Sequence, residues 1–391
     1  MRSCAAAPPS CWGEGEYGTL GNGVALYRST PVSVKTITNA TQVSGGDDTA
    51  CARLSTGKVM CWGDNWAGML GDGTHTSRAN STTSPHYVYG ITTAVSVAVG
   101  DSNGCVILTG GTVKCWGSSF DGMLGAGHND DTAKPLAVGV TGATQLSLGG
   151  YRTACARLSN GTVKCWGRND EGQMGLGTTD SDPHAPTTIP GLTSVTQVVA
   201  GYRHTCARIS NGTVKCWGSN VTGELGDGTY APHASPAIVP GLNGVKSLAA
   251  YGRTTCALLT SGGVKCWGAG YTGQLGNHSA SESTVPVTAA VSGIAALAAG
   301  TEFMCAKRTT GSVKCWGGND HGQAGNGTTN TAWVPATVSG LSGVLSIGGG
   351  DVAGYAVLST HRVKAWGSQH TGQLGNGYRN ISGTPTGVVV P

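Results

Sequence analysis

A tryptophan–glycine pair recurs along the whole chain at a nearly constant interval of 49 to 54 residues. In seven copies the pair follows a cysteine, and in the last copy it follows Ala365. The repeated tryptophans are Trp12, Trp62, Trp116, Trp166, Trp217, Trp267, Trp316 and Trp366. A repeat of this length that runs from end to end is typical of propellers, solenoids and arrays. We therefore expect a single domain over residues 1–391, with one structural unit centred on each of these tryptophans.

Each repeat carries the signals of about four short strands. In the unit around Trp217, a β-branched run at 195–199 comes first, the two arms of a hairpin follow, and a strand near Pro236 ends the unit. Four strands in about 50 residues is the content of a propeller blade. A parallel β-helix is disfavoured, because its coils are shorter and need no hairpin. The sequence thus predicts an all-β propeller.

The cysteines predict disulfides within the hairpins. Six units contain two cysteines separated by nine residues, with a turn such as Ser159-Asn160-Gly161 between them. A three-residue hairpin loop ending in glycine places such cysteines opposite each other, close enough to be bridged. Buried free thiols and zinc ligation are less favoured, since thiols need no fixed spacing and zinc ligands usually lie closer together. The predicted pairs are Cys51/Cys61, Cys105/Cys115, Cys155/Cys165, Cys206/Cys216, Cys256/Cys266, Cys305/Cys315 and, with a shorter loop, Cys4/Cys11.

A second signature, glycine-x-apolar-glycine, follows each tryptophan, as in Gly223-Glu224-Leu225-Gly226. Two glycines around one apolar residue suit a compact turn that approaches a neighbour closely. The glycine spacing matches no dinucleotide or nucleoside triphosphate motif, and no helical segment follows. No cofactor is predicted.

The repeated motifs resemble the regulator of chromosome condensation repeat family. The resemblance rests on stretches such as Gly201-Tyr202-Arg203-His204-Thr205-Cys206-Ala207, on Trp217-Gly218 and on Gly223-x-Leu225-Gly226, repeated over nearly the whole chain. It implies a β-propeller, usually of seven blades. A plant photoreceptor related to this family uses clustered tryptophans, but packing between blades is the favoured role for the repeated tryptophans here.

The number of blades departs from the family norm in our prediction. Eight tryptophan units favour an eight-bladed ring in which the two incomplete terminal units pair, leaving no open edge. Seven blades with the terminal hairpin displaced are the alternative.

Composition and cysteine content predict the environment of the protein. Charged residues are 11% of the chain and the net charge is +4, which is too weak to predict binding to nucleic acid. No apolar run is long enough for a membrane span, and no signal peptide is visible at the N-terminus. The predicted disulfides nevertheless require an oxidising compartment. We therefore expect a secreted or periplasmic protein whose signal has been removed.

Catalysis is not predicted, because no unit carries a distinctive Ser/His/Asp set. The histidines lie mostly in variable loops and are read as solvated side chains, so no metal site is predicted.

Two sets of variable positions are candidate binding sites. The residues just before the first cysteine of a unit are acidic in some units and Tyr/Arg in others, and Tyr and Arg are enriched at the energetic centres of interfaces. The residue four positions after the repeated tryptophan is aromatic in three units. The candidate binding residues are Tyr151, Arg152, Tyr202, Arg203, Arg253, Trp66, Phe120 and Tyr271.

The predicted function is non-enzymatic binding of an unidentified protein partner through loops on one face. The family includes a bacterial propeller that inhibits a β-lactamase, which implies protein recognition outside the cytoplasm. Binding of glycans through Trp66, Phe120 and Tyr271 is the alternative, and an enzyme with a site built from loops is less favoured. The disulfides and weak charge disfavour the chromatin-binding and nucleotide-exchange roles of nuclear family members.

Overall fold

The computed structural model describes residues 3–6, 9–14, 27–75, 82–377 and 381–387, with side chains for 28–75 and 82–377. Nearly all of the regular structure in these ranges is antiparallel strand, and Phe120–Gly122 forms a single 3-10 turn. Seven four-stranded sheets are present, each a meander whose strands follow one another along the chain except at the last blade. The predicted all-β propeller is confirmed.

The strands are assigned to blades in chain order. The chain starts with β1 (Ser3–Ala6), β2 (Pro9–Glu14) and β3 (Tyr27–Ser33). Blade 1 contains β4 (Ala40–Gly45), β5 (Thr49–Leu54), β6 (Val59–Gly63) and β7 (Thr82–Tyr87); blade 2 contains β8 (Ala94–Val99), β9 (Asn103–Leu108), β10 (Val113–Gly117) and β11 (Thr132–Ala137). Blade 3 contains β12 (Ala143–Leu148), β13 (Thr153–Leu158), β14 (Val163–Asn169) and β15 (Asp180–Thr188); blade 4 contains β16 (Val195–Ala200), β17 (His204–Ile209), β18 (Val214–Gly218) and β19 (His233–Ile238).

The remaining blades complete the ring. Blade 5 contains β20 (Val245–Tyr251), β21 (Thr254–Leu259), β22 (Val264–Gly268) and β23 (Ser283–Thr288); blade 6 contains β24 (Ile294–Ala299), β25 (Phe303–Arg308), β26 (Val313–Gly317) and β27 (Ala332–Thr337). Blade 7 contains β28 (Val344–Gly349), β29 (Ala353–Leu358) and β30 (Val363–Ser368), with β3 as its outermost strand. Strand β31 (Ile381–Gly387) pairs with β2. The innermost strands, β4, β8, β12, β16, β20, β24 and β28, each contact the next, and β28 contacts β4.

The favoured prediction of eight blades is wrong, because the ring closes after seven. Strand β3 pairs with β30, so the N-terminal segment supplies the outer edge of the last blade. The hairpin of the first unit, β1 and β2, instead forms a three-stranded sheet with β31. Because β3 occupies the outer edge of blade 7, the ring is complete without the hairpin of β1 and β2. The alternative of seven blades, with the terminal hairpin in a sheet of its own, describes the structure.

Six predicted disulfides are present. The two cysteines of each hairpin are direct partners in the strand register, as Cys206 and Cys216 are, and their Cα atoms are 4.1 Å apart. The bonds join Cys51–Cys61, Cys105–Cys115, Cys155–Cys165, Cys206–Cys216, Cys256–Cys266 and Cys305–Cys315. Cys4 is opposite Cys11 in the backbone register, but this predicted pair lies outside the described side chains.

The repeated tryptophans join neighbouring blades. Each of the seven in the ring is fully buried, and its indole N–H donates to a carbonyl in the glycine-x-apolar-glycine turn of the preceding blade. Trp267, for example, donates to the Glu224 carbonyl at 2.8 Å. The second glycine of that turn, Gly226, has φ +69°, and a β-carbon there would lie 2.7 Å from the Trp267 ring. The tryptophan and the glycine turn are therefore two halves of one contact between blades.

The same contact closes the ring between blade 7 and blade 1. Trp62 donates to the Gln373 carbonyl at 2.8 Å. Blade 7 has no cysteine pair, and Tyr355 and Ala365 occupy the opposed positions. The Tyr355 hydroxyl also donates to the Gln373 carbonyl, at 3.0 Å, and its ring packs edge-on against Trp62 with centroids 6.2 Å apart. Blade 7 thus has aromatic packing and a buried hydrogen bond at the position that a hairpin cysteine occupies in the other blades.

Candidate functional site

Two loops of every blade lie at the same end of the propeller. The inner loop joins the innermost strand to the second strand, and the outer loop follows the third strand. A backbone hydrogen bond ties the two loops together in each blade, as from Arg168 N–H to the Arg152 carbonyl at 3.0 Å. All eight predicted binding residues lie in these loops. We call the surface that the fourteen loops form the mouth face.

The inner loops place one residue of each blade around the mouth of the central channel. These residues are Asp47, Asp101, Tyr151, Tyr202, Gly252, Thr301 and Asp351, from blades 1 to 7 in order. Blades 7, 1 and 2 therefore contribute an acidic arc, and blades 3 and 4 contribute two adjacent tyrosines. Hydrogen bonds also link inner loops of neighbouring blades, as from Tyr202 N–H to the Gly252 carbonyl at 2.6 Å.

The two tyrosines belong to a stack of aromatic rings and guanidinium groups, here called the Tyr/Arg ladder. The Tyr151 and Tyr202 rings are 5.0 Å apart at 42°. The Arg203 guanidinium lies 3.9 Å from the Tyr151 ring centre, and the Arg152 guanidinium lies 4.1 Å from that of Phe120. The structure thus brings five of the predicted residues into one continuous surface across blades 2, 3 and 4.

Three acidic residues that we did not predict as site residues hold the ladder in place. Asp121 accepts hydrogen bonds from Arg152 at 2.9 Å and Arg168 at 3.0 Å. Arg168 also pairs with Asp170 at 2.8 Å, and Arg203 pairs with Glu171 at 2.9 Å.

Burial raises the pKa of the Asp170 carboxyl, but hydrogen bonds from Arg168 and Gln173 outweigh it and leave the pKa below its usual value. The ladder is therefore a largely charge-neutral surface, and the arginines are oriented before any partner arrives.

The inner loop of blade 3 is one residue longer than those of the other blades, because Gly149 and Gly150 both precede Tyr151. Arg152 has φ +60°, in the left-handed region that side chains seldom occupy. Asp121, which binds it, also has a positive φ, of 54°. The left-handed backbone at Arg152 and Asp121 costs conformational free energy, and the ion pair between their side chains forms in spite of that cost.

A cavity of about 530 Å³ opens at the mouth. Carboxylates line it on the side of the acidic arc, and the rings of Tyr202, Tyr251 and Tyr271 form aromatic walls. Arg253 also lines it, so this cavity gathers three of the predicted residues, namely Tyr202, Arg253 and Tyr271. Gly252 allows the inner loops of blades 5 and 6 to approach closely, since a β-carbon at this position would lie 2.1 Å from the Thr301 carbonyl oxygen.

The acidic arc is charged only in part. Burial raises the pKa of Asp47, and the nearby carboxylates of Asp48, Asp351 and Asp101 raise it further. Burial also raises the pKa of Asp101, although Arg152 opposes that shift. The Asp47 carboxyl hydrogen-bonds to both Asp351 and Asp101. At neutral pH, a proton is therefore held among these carboxylates.

A second cavity, of about 580 Å³, lies between blades 1, 2 and 3. Trp66, Phe120 and Arg152 line it together with Asp130 and Asp131. Trp66 is 38% exposed and Phe120 is 56% exposed. The structure thus places these two predicted aromatics beside each other, apart from Tyr271 in blade 5.

Five of the ten histidines, all of which lie in the described ranges, contact a carboxylate. His233 contacts Asp227 at 2.8 Å and His184 contacts Asp180 at 2.6 Å. In the ranges that the structure describes, no three or more His, Cys, Asp or Glu side chains are placed to hold a metal ion.

Two family models of the regulator of chromosome condensation (RCC1) repeat match the chain. One matches residues 160–208, and the other matches 40–65, 94–122, 143–173, 195–224, 245–274 and 294–323. Together these matches cover about half of the chain and fall in six successive blades.

The chain belongs to the RCC1 repeat family.

Other RCC1-like proteins resemble it in sequence or fold. The chain is 28% identical to the ultraviolet-B receptor UVR8 of Arabidopsis thaliana over 228 residues, which are 57% of this chain and 51% of the receptor. The chain thus spans about half the length of that relative. Prp20p from Saccharomyces cerevisiae, described for its binding to Gsp1p and histones, has a TM-score of 0.71 at 19% identity, with 92% of this chain and 90% of Prp20p covered. Human WBSCR16 has a TM-score of 0.73 at 18% identity, with 87% of this chain and 90% of that chain covered.

These likenesses to solved structures establish the propeller fold. UVR8 is a receptor and Prp20p is described by its binding, so such RCC1 propellers serve as binding or regulatory scaffolds.

The sequence did not lead us to predict Tyr251 as a site residue. Tyr251 ends β20, which is one residue longer than the other innermost strands, and the other six blades have glycine at this position of the repeat. Comparing the same position in all seven repeats would have singled out this tyrosine. Its ring lines both the mouth cavity and the channel below it.

Proposed function

We propose that this propeller is a non-enzymatic scaffold that recognises a protein partner through its mouth face. The observation that carries the proposal is the Tyr/Arg ladder, in which aromatic rings and guanidinium groups lie next to one another with their geometry already set. Tyr and Arg dominate binding energy at protein interfaces. Because ion pairs and loop-to-loop hydrogen bonds already restrain these side chains, binding them loses less conformational entropy.

We further propose that recognition takes place outside the cytoplasm, in a secreted or periplasmic setting. Six buried disulfides support this location, because such bonds persist in oxidising compartments. Among the described residues, no helix has the length and apolar character that crossing a bilayer would take. The acidic arc at the mouth would repel a polyanion, which argues against nucleic acid as the partner.

The test uses affinity capture from the extracellular fraction, followed by measurement of affinity with the purified partner. Replacing Tyr151 and Tyr202 with alanine is expected to weaken binding at least tenfold, because it removes the two central rings of the ladder. The matched control replaces Tyr87 and Lys58, an exposed tyrosine and lysine 5.2 Å apart near the other end of blade 1. Undiminished binding by the ladder variant would reject the mouth face as the site of recognition.

Binding of glycans is the second candidate. It rests on Trp66 and Phe120, which are exposed beside a cavity large enough for a sugar ring. A glycan array should then give signals that Trp66→Ala and Phe120→Ala remove and Tyr271→Ala leaves unchanged, because Tyr271 lies in another blade. An array with no bound glycan would eliminate this candidate.

A further inference from the structure

A buried tyrosine, Tyr251, lines the mouth cavity. Tyr251 is only 7% exposed, and its ring carbon bearing the hydroxyl lies near Gly150 at the mouth. No described residue forms a hydrogen bond with that hydroxyl. Phenol hydroxyls in protein interiors are normally hydrogen-bonded, so the Tyr251 hydroxyl is available to a polar group that enters the cavity.

The nearest charges are carboxylates that also lack a cation. Asp47, Asp101 and Asp351, from blades 1, 2 and 7, line the same cavity as Tyr251. Within the described ranges, none of the three forms an ion pair with a lysine or arginine. Arg152, the cation nearest to Asp101, is bound by Asp121 at 2.9 Å. Glu302 and Arg253 also line the cavity, and the Asp48 carboxylate outside it raises the pKa of Asp47.

The size and walls of the cavity define its ligand. About 530 Å³ is far more than a single ion fills, and the carboxylates are not arranged to hold a metal ion. The walls on the opposite side are the flat rings of Tyr202 and Tyr271. A cluster of hydrogen-bond acceptors facing aromatic walls suits a flat cation with several N–H donors.

We propose that the mouth cavity receives the guanidinium group of an arginine side chain from the protein partner. Its N–H groups donate to the carboxylates of Asp47 and Asp351 and to the Tyr251 oxygen, while its faces lie against the tyrosine rings. A lysine ammonium has fewer donors and no flat face, so it fits this cavity less well. The inference deepens the proposed function and depends on it for the identity of the partner.

The pH dependence of binding gives a second test of the arginine site. Burial and neighbouring carboxylates raise the pKa of Asp47, so the empty cavity holds a proton at neutral pH. An incoming guanidinium stays charged to beyond pH 12 and displaces that proton. Affinity is therefore expected to increase as the pH rises from 6 to 9, whereas binding to an ordinary exposed carboxylate changes little in that range.

The experiment uses capped amino acids on the intact protein, with binding measured by ligand-observed NMR. N-acetyl-arginine methylamide is expected to bind at least tenfold more tightly than its citrulline analogue, which has nearly the same shape but no charge. The lysine analogue is expected to bind several-fold more weakly than arginine. Spermidine tests whether the cavity binds a free polyamine instead of an arginine side chain.

Three variants locate the site. Asp47→Asn and Asp351→Asn are expected to weaken arginine binding at least fivefold, and Tyr251→Phe is expected to weaken it while keeping the ring. Asp130→Asn removes the same charge from a side chain that is 92% exposed elsewhere on the mouth face, so it is the matched control. Thermal unfolding monitors folding, and Asp47→Asn is expected to unfold no earlier than the wild type, because asparagine is neutral and close in shape to the protonated Asp47 carboxyl.

Equal binding of arginine and citrulline would overturn the inference, as would arginine binding that none of the three mouth variants weakens. Binding of spermidine without arginine would assign the cavity to free polyamines instead. A partner that needs Tyr151 and Tyr202 but tolerates Asp47→Asn would support protein recognition and refute the arginine site. If the cavity binds arginine but the partner's affinity is unchanged by replacing Tyr151 and Tyr202, the arginine site is supported and recognition through the ladder is refuted.

Discussion

At every junction of the ring, a side chain donates a hydrogen bond to the backbone of the preceding blade. The repeated tryptophans provide seven such bonds, and each donates to a turn that only glycine can shape. Other residues provide contacts at one junction alone. The Tyr355 ring packs against Trp62 between blades 7 and 1, and the His204 ring contacts the Thr255 hydroxyl between blades 4 and 5. Single buried residues of this kind make stability sensitive to solution conditions.

His204 predicts a loss of stability in acid. Its ring is buried against Gly201 and contacts the Thr255 hydroxyl at 2.7 Å. Burial lowers the pKa of His204 to about 4, from an ordinary value of 6.5. The unfolded chain therefore takes up this proton first, so the stability that depends on neutral His204 is complete above pH 6.5 and is lost as the pH falls towards 4. The loss is about 3 kcal/mol in total.

Urea unfolding at pH 7.5 and pH 4.5 measures this loss. His204→Thr is the comparison, because threonine occupies the same position in blades 1, 3 and 5 and does not titrate. The variant is expected to start less stable at pH 7.5 but to lose about 2 kcal/mol less on acidification. Equal losses in the two proteins would show that His204 does not control the acid response.

The hairpin formed by the second and third strands is the element that the sequence specifies most completely. Its turn, its opposed cysteines and its tryptophan recur with the same spacing in six blades. The bridge closes a loop of 10 residues near the centre of each of these sheets. Loop closure of this size restricts the unfolded chain more than the folded one.

Removal of one bridge is expected to weaken the propeller without changing its fold. Cys206→Ala with Cys216→Ala should lower the free energy of unfolding by about 2–3 kcal/mol, because the unfolded hairpin regains its freedom. The Trp217 contact with the Gln173 carbonyl, at 2.9 Å, remains to hold blade 4 against blade 3. Denaturant unfolding of the variant and the wild type gives the difference. A variant as stable as the wild type would mean that the bridge adds nothing to the native state.

At the scale of the whole molecule, the ring is closed by the pairing of β3, near the N-terminus, with β30 of blade 7. The outermost position of blade 7 is occupied by β3, although β31 follows β30 in the sequence. The ring is therefore closed by hydrogen bonds between residues more than 300 positions apart, such as that from Val34 N–H to the Val363 carbonyl at 3.0 Å.

Proline substitution distinguishes the two terminal strands. Val34→Pro removes the N–H that bonds to Val363 and leaves that carbonyl without its partner, so it is expected to destabilise the ring by about 1–3 kcal/mol. Thr386→Pro in β31 is the matched control, because β31 pairs with β2 and not with blade 7. Denaturant unfolding followed by the fluorescence of the buried ring tryptophans reports on the ring. A larger effect of the β31 substitution would indicate that β31, and not β3, closes blade 7.

The candidate site was predictable in its positions but not in its contacts. Sequence comparison among the repeats pointed to Tyr151, Arg152, Tyr202 and Arg203, because variable loop positions stand out against a constant framework. It did not pair Arg152 with Asp121, since these residues come from different blades and meet only because both adopt left-handed backbone conformations. It also did not identify Tyr251, because this residue lies in a strand and not among the variable loop positions.

The sequence alone determined the strand content, the hairpin disulfides and the repeat of the blade, because each depends on contacts within about 50 residues. Only the tertiary structure decided the number of blades and the partners of the loops. Ring size depends on which distant strand covers the last edge, and β3 and β31 both carry an edge-strand pattern. The acidic arc meets the Tyr/Arg ladder for the same reason, since closing seven blades into a ring sets which loops become neighbours.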